Sequence, residues 1–459
     1  MNSAARISVS ESLFEPIFVP DVFREATDGR AWLQAMLDAE RALAVAEARA
    51  NRIPAEAAEV IAGCCDADLF DIAEIGVAGR ASGNPVPPLV EALTAAVREA
   101  SEDAARHVHK GATSQDITDT AAMLVARRTL GLILSEMDGI SEACASLAGD
   151  HRDTLMAGRT LMQQALPTTF GLKAAGWLVA VLDARQRLMT LRGSGLAAQL
   201  GGAAGTLASL GPSGTEVLRE FADELSLPEP VVPWHTARFR VADLGNGLAL
   251  AAGTIHKISL DVILMSQTEI GEVAEPSGGG RGGSSTLPHK RNPVGSVLAA
   301  ACARRVYPLA QTLQSAMAQE HERAAGAWHS EWEALSDALA LTGGAASAMR
   351  ETLEGLQVNP GRMRENLDIT GGLLLAEHVT TAAAEKLGRM QAHELVQNAS
   401  RSAAENGKSL REEVVAEPDL REALTDEEID AALDPAGYLG SAGAFVDRAL
   451  ELYRKEGLA

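Results

Sequence analysis

The sequence predicts an all-α protein organised around a central bundle of long helices. Aromatic residues make up 3% of a chain that is 46% apolar. Side chains that suit a pleated sheet are therefore scarce, while alanine and leucine, both strong helix formers, dominate. Val241, Leu244, Leu248, Ala251, Ile255, Ile258, Val262 and Met265 follow one another in alternating steps of three and four. That is a heptad seam, and no proline interrupts it between Pro233 and Pro276. A helix of ~30 residues rising about 1.5 Å per residue is ~45 Å long, more than a small domain across. A second seam runs through Ile133, Met137, Ile140, Cys144 and Leu147, with others from Phe170 to Leu191 and from Pro293 to Met317. Several long seams in one chain imply a bundle. Alanine clusters such as Ala249 to Ala252 let helices approach closely on more than one face, so burial against other subunits is expected as well.

Taken in order, residues 1 to about 110 read as short helices, including Trp32 to Ala50, with a loop at Ser82-Gly83-Asn84-Pro85-Val86-Pro87-Pro88. Residues from about 111 to 350 hold the long helices. From about 351 to 459 come shorter helical pieces, punctuated by Asn359-Pro360, Gly371-Gly372, Glu417-Pro418 and Asp434-Pro435. There is no internal repeat.

Bulk properties restrict the function. The net charge of −22 is the wrong sign for a nucleic-acid binder. It does not oppose a small anionic substrate, because a site is set by local charges. Cys64, Cys65, Cys144 and Cys302 include no C-x-x-C, which fits reduced thiols better than a disulfide framework or a zinc site. The first residues lack the apolar core of a signal peptide, and no uninterrupted apolar run approaches the ~20 residues of a membrane span. A cytoplasmic metabolic enzyme with no nucleic-acid or membrane partner is expected.

Three clusters carry chemistry. The first is Gly282-Gly283-Ser284-Ser285-Thr286-Leu287-Pro288-His289-Lys290-Arg291-Asn292-Pro293, led in by a glycine-dominated run from Pro276 to Arg281. Composition alone suits a linker. A serine pair, a lysine and an asparagine between prolines suit instead a loop that handles a proton and holds a carboxylate. The second is His107-Val108-His109-Lys110-Gly111-Ala112-Thr113-Ser114-Gln115-Asp116, which opens the helix of the second seam. Thr113, Ser114 and Asp116 are helix-capping types, and a helix N-terminus attracts anions. The His-x-His pair has no local third ligand, so no metal is expected. The third cluster spans Gly158 to Gly171 and includes Leu161, Gln163 and Gln164.

These clusters resemble the three signatures of the fumarase/aspartase superfamily. The glycine loop is similar to G-S-S-x-M-P-x-K-x-N-P, with Leu287 in place of methionine. The second cluster is similar to the carboxylate-contacting His-x-Gly-x-Thr-Ser stretch, with Lys110 where a hydrophobic residue is common. In the third, fumarase and argininosuccinate lyase have histidine at the position of Leu161. Adenylosuccinate lyase has it there and commonly at Gln164 too. An amine or hydroxide leaves carbon poorly unless protonated, whereas a carboxylate, with a conjugate acid near pKa ~4, needs no such help. The missing histidines favour a reaction whose departing or attacking group is a stable oxyanion. Gly83-Asn84-Pro85, Gln199 to Thr206, Pro233 to Arg238, Gln319 to Arg323, Trp328 to Trp332 and Leu433 to Leu439 resemble the bacterial 3-carboxy-cis,cis-muconate cycloisomerases over nearly the whole chain.

That resemblance implies a cofactor-free homotetramer with a twenty-helix core, and active sites assembled from signatures on three subunits. It implies lactonisation of a carboxymuconate in protocatechuate breakdown. Ser284 is the implied proton-transfer residue. Lys290 and Asn292 stabilise an enolate, and Thr113 and Ser114 bind a second carboxylate. His109 binds it or serves as an acid, and Gln163, Thr236 and Arg238 make further substrate contacts. The competing readings are a lyase on a succinate derivative, above all one releasing nitrite from nitrosuccinate, and a crystallin-like structural protein, which the intact loop opposes. Gly278-x-Gly280-x-x-Gly283 follows a helix rather than a strand, so it is no dinucleotide fingerprint. His321-Glu322 lacks the second histidine of a zinc-protease helix, because Ala325 stands there.

Overall fold

A computed structural model describes residues 12–276, 282–283, 287 and 289–458. Long helices dominate it: Ser114–Asp150, Phe170–Thr190, Phe239–Met265, Val294–Ser315 and Glu331–Glu354. Every residue of the Val241-to-Met265 seam is buried, as are Ile133, Met137, Ile140 and Cys144 of the second. The Phe239–Met265 helix is long and apolar enough, by composition, to cross a membrane, with a mean hydropathy of 1.5. Its charges are nonetheless paired within the protein, Asp243 with Arg187 and Asp261 with Lys257 and the Trp177 indole. One face of the helix, the heptad seam, is buried, while Phe239 and Leu250 stand exposed on it.

Element boundaries follow local chemistry. The helix predicted from Trp32 begins at Gly29, because the Asp28 carboxylate accepts from the Ala31 N–H and caps it. The Ser82-to-Pro88 stretch is a tight junction. Gly83 ends one helix with a left-handed φ of 73°, and the prolines occupy the first turn of the Val86–Ala100 helix, where no N–H is needed. Pro360, Pro418 and Pro435 likewise open helical elements.

A β-hairpin inside the third cluster was not expected from the sequence. Leu155–Thr160 pairs antiparallel with Gln163–Thr169 through a two-residue turn at Leu161 and Met162. Both turn residues have positive φ, 50° and 67°. The turn is of the mirror-image kind that asparagine or glycine normally marks. Leucine and methionine gave no such signal.

The chain divides into two compact units, one of Met1–Met137, Asp183–His256 and Leu298–Met349, the other of Asp138–Leu182, Lys257–Val297 and Arg350–Ala459. In the first, the Gly29–Arg49 helix packs against Gly214–Leu225 and is tied to it by Arg41 and Arg49 pairing with Glu224. In the second, the short strand Val273–Ala274 pairs with Gln357–Val358 just before the glycine run. A separate core of Val379, Val396, Leu410, Leu420 and Ile429 organises its C-terminal helices.

An ion cluster lies in the core of the first unit. Arg238 is 2% exposed, and its guanidinium donates to Asp119 and to Glu331, both also buried. The Trp328 indole N–H donates to Asp119 at 3.0 Å, and the Trp234 ring lies under the guanidinium at 4.9 Å. Arg238 was expected to contact substrate. That expectation is corrected: its donors are engaged by two carboxylates, so it holds the framework. Removing one member of a buried charge group strands the others. Arg238→Met should therefore cost about 3–5 kcal/mol of stability. Thermal unfolding should show a clear drop in Tm, while the remaining folded enzyme keeps a near-normal KM.

Candidate active site

In the first unit, the site is built around the start of the Ser114–Asp150 helix. Thr113 stands at its N-cap position, and Asp116, at the third helical position, reaches back to accept from the Thr113 N–H at 2.9 Å. Half of a capping box is thereby made. The same carboxylate accepts from the N–H groups of Gly201 and Gly202, each at 2.9 Å, and lies 2.6 Å from His235 Nε2. Two distant stretches are thus locked to one helix end. Gly202 adopts a φ of 69°, and a side chain on Gly201 would press on Pro233 and His235. Only glycine suits both positions.

Because the Asp116 N–H donates to the Thr113 carbonyl, at 2.9 Å, the Thr113 hydroxyl is left for another partner. It accepts from Arg323 at 3.1 Å, and Arg323 also donates to the Ala203 carbonyl at 3.0 Å. Ser114 begins the helix beside it. Thr236 donates its hydroxyl to the His321 carbonyl at 3.0 Å, so it ties two loops together. His109 Nδ1 lies 2.6 Å from the Glu40 carboxylate. Burial opposes charge on this ring, but Glu40, through its charge and hydrogen bond, and Asp116 more than compensate, so the His109 pKa is raised. His109, Thr113, Ser114 and Arg323 therefore gather cationic and hydroxyl groups near one helix N-terminus. Such a site suits a carboxylate.

In the second unit, the glycine loop has a closed base. Gly283 and Arg291 form an antiparallel bridge, and both the backbone and the side-chain amide of Asn292 donate to the Gly282 carbonyl, at 2.9 and 3.3 Å. The Glu275 carboxylate accepts from the first-turn N–H groups of Gly295 and Ser296, each at 2.8 Å, and from the Ser296 hydroxyl at 2.6 Å. One side chain thus closes the entry of the loop on the helix that follows it, using N–H groups that a helix start leaves unsatisfied. Lys290 is exposed and Asn292 half-buried on the exit limb. Ser284, with Ser285 and Thr286, lies outside the described residues.

The hairpin is anchored from below. Arg159 makes a two-pronged contact with the fully buried Glu272, at 2.9 and 2.6 Å, and Asn366 donates to the same carboxylate at 2.9 Å. Gln164 donates to the Asn366 carbonyl at 2.7 Å, so the residue at the second histidine position serves the frame. At the tip, Leu161 is 97% and Met162 71% exposed, and Gln163 beside them is also exposed. A cleft of about 380 Å³ adjoins this tip, lined in part by Arg159, Lys173, Gln267 and Ile270.

Sequence reasoning did not single out Glu40, Arg323 or Glu275, and it read Asp116 only as a capping type. The signal for Asp116 was its place three residues after Thr113. For Glu40 it was an acid set among Ala39, Ala42 and Leu43, all buried. Glu275 gave no signal, because its partners are backbone N–H groups.

Comparisons with known proteins show the family of the chain. The family described as Lyase matches residues 19–307, and the adenylosuccinate lyase C-terminus matches residues 372–449. A 3-carboxy-cis,cis-muconate cycloisomerase of Bradyrhizobium diazoefficiens is 47% identical, over 97% of this chain and 98% of its own. A nitrosuccinate lyase of Streptomyces davaonensis is 44% identical, over 96% and 95%. The crystal structure of the 3-carboxy-cis,cis-muconate lactonizing enzyme of Pseudomonas putida superposes with a TM-score of 0.91 at 42% identity, covering 96% of this chain and 99% of that one. The chain belongs to the lyase family of the fumarase/aspartase superfamily, in the branch of the 3-carboxy-cis,cis-muconate cycloisomerases.

Proposed function

We propose that this chain lactonises 3-carboxy-cis,cis-muconate to 4-carboxymuconolactone. The observation that carries the reading is the hairpin tip. Leu161 stands exposed where amine- and water-eliminating relatives place a histidine acid, and Gln164 is committed to the frame. An attacking carboxylate needs neither histidine. One substrate carboxylate oxygen forms a bond to an alkene carbon, and the π electrons move to the neighbouring carboxylate as an enolate. Carbon then takes a proton, and at neutral pH each turnover consumes one from solution. Ser284 is the proposed donor to carbon. Lys290 and the Asn292 amide stabilise the enolate charge. Thr113, Ser114 and His109 hold a second carboxylate, with Gln163 a further contact. No cofactor enters these steps.

The site groups are proposed to meet in a homotetramer, each active centre drawing on three chains. Apolar side chains that a lone subunit leaves in water support assembly. Val231 is 99% exposed, Phe239 68% and Leu250 60%, the last two on the central helix. Burying such a face against another copy removes apolar area from water.

Ultraviolet assays with 3-carboxymuconate, nitrosuccinate, adenylosuccinate, argininosuccinate and aspartate test the reaction. Rapid loss of the muconate absorbance is expected, with amine elimination undetectable. Faster release of nitrite would assign the chain to the nitrosuccinate reaction, and comparable amine elimination would sink the leaving-group argument. Ser284→Ala should lower kcat at least a hundredfold, ~3 kcal/mol of transition-state stabilisation, with substrate binding retained. Near-normal kcat would move the role to Ser285. Inactive Ser284→Ala and Thr113→Val chains, mixed and reassembled, should regain activity. Mixed tetramers verified by mass that stay inactive would refute shared sites.

A further inference from the structure

The Gly29–Arg49 helix buries its inner face with small apolar residues, Ala35, Ala39, Ala42 and Ala46, yet Glu40 sits among them at 1% exposure. A carboxylate taken that far from water is costly unless a donor or a cation meets it. The partner is His109, whose Nδ1 lies 2.6 Å from Glu40 Oε1. A carboxylate oxygen only accepts, so Nδ1 carries a proton. The imidazole geometry then turns Nε2 away from Glu40.

The backbone is bent to make this contact. His109 has a φ of 55°, in the left-handed region, and Gly111 follows at 84°. A non-glycine residue held there stores of order 1–3 kcal/mol, which persists only where the surroundings impose it. A side chain on Gly111 would also run into Leu210, at 2.4 Å. The loop is therefore set by its surroundings, and it delivers the ring to Glu40.

We propose that Glu40 is the positioning residue of His109, fixing its ring and holding it as an imidazolium that anchors one carboxylate of the substrate through Nε2–H. The inference rests on the polycarboxylate reading of the site. A substrate with three negative charges, entering a protein of net charge −22, needs fixed cations where it binds. An ordinary histidine would be mostly neutral at cytoplasmic pH; a buried carboxylate hydrogen-bonded to the ring favours the charged form.

The other charged groups around the ring do not replace Glu40. Asp116 adds negative charge from the helix start, but its oxygens are engaged by Thr113, Gly201, Gly202 and His235. Lys110, next in sequence, donates to the Arg52 carbonyl at 3.1 Å. Glu47, two turns beyond Glu40 and fully buried, has both oxygens without a hydrogen bond, and burial pushes its pKa up to about 7. Glu40 is the carboxylate in direct contact with the ring.

The test uses the whole enzyme and the near-isosteric Glu40→Gln, over pH 5.5–9. Removing the carboxylate lowers the pKa of His109. The basic limb of kcat/KM for 3-carboxymuconate should then move down by at least one pH unit, with the loss in KM rather than kcat and activity near wild type at pH 5.5. A merely structural Glu40 would give a uniform loss, or none, at every pH, and either result overturns the proposal. Calorimetric binding of propane-1,2,3-tricarboxylate gives a readout independent of turnover. It should weaken at least tenfold in the variant at pH 8 and little at pH 5.5. If that shift appears while muconate is not turned over, the cycloisomerase reading fails and the dyad stands. If muconate is turned over with an unshifted profile, the dyad fails and the reading stands. Should Glu40→Gln not fold, His109→Gln gives the answer: it must remove the basic limb, and a limb kept at the wild-type pH overturns the proposal.

Discussion

The Asp116 carboxylate is the interaction on which the helix start in the first compact unit depends. It binds the N-cap N–H of Thr113, the backbone of Gly201 and Gly202, and the ring of His235. A helix N-terminus usually satisfies its cap with the cap residue's own side chain. Here the third helical N–H, that of Asp116, turns to the Thr113 carbonyl instead, and the Thr113 hydroxyl is free to join Arg323. The consequence is geometric. A hydroxyl and a guanidinium are presented at the positive end of a long helix, held by a group that is itself 0% exposed. Charge attraction, hydrogen bonding and the helix dipole act in one direction there.

The same economy of buried charge recurs through the chain. Asp119 and Glu331 share Arg238, Glu272 takes both prongs of Arg159, and Glu275 takes two helix N–H groups. Asp119, Glu331 and Glu272 have lost water and recovered directed donors, and the half-buried Glu275 has gained directed donors as well. Such arrangements contribute little net stability against an apolar replacement, but they penalise any displacement of their members. They are suited to fixing loops in place. The acidic surplus of the sequence is thus partly a set of fasteners inside the protein, and partly solvated surface.

The fold was legible where one physical signal dominated. Heptad spacing from Val241 to Met265 specified a buried helix face, and the proline and glycine positions marked element ends correctly. The hairpin was illegible because its turn is made by Leu161 and Met162, residues with no preference for positive φ. Its conformation comes from pairing and from the Arg159–Glu272 anchor, which are tertiary. Arg238 was misread for a related reason. An arginine two residues from a threonine looks the same in sequence whether it meets a substrate carboxylate or the protein's own Asp119 and Glu331. Glu40 and Glu275 went unremarked because their meaning lies in partners 69 and 20 residues away. The residue types of the glycine loop were readable, but the loop closure by Glu275 was not.

The hairpin also explains how one scaffold can serve different leaving groups. Its frame is fixed by Arg159, Glu272, Asn366 and Gln164, none of which is at the tip. The residue at 161 projects almost wholly beyond the chain that carries it, so the frame places no demand on its chemistry. Histidine tolerates the left-handed conformation at least as well as leucine does. Nothing in the local backbone therefore prevents an acid from standing there. The choice of leucine must be explained by what the tip meets outside its own hairpin. On the proposed reading an apolar side chain there offers no proton, so carbon protonation falls to the glycine loop and carboxylate binding to the helix terminus. On that reading the reaction class turns on the side chain at position 161, while the anion-holding parts stay the same.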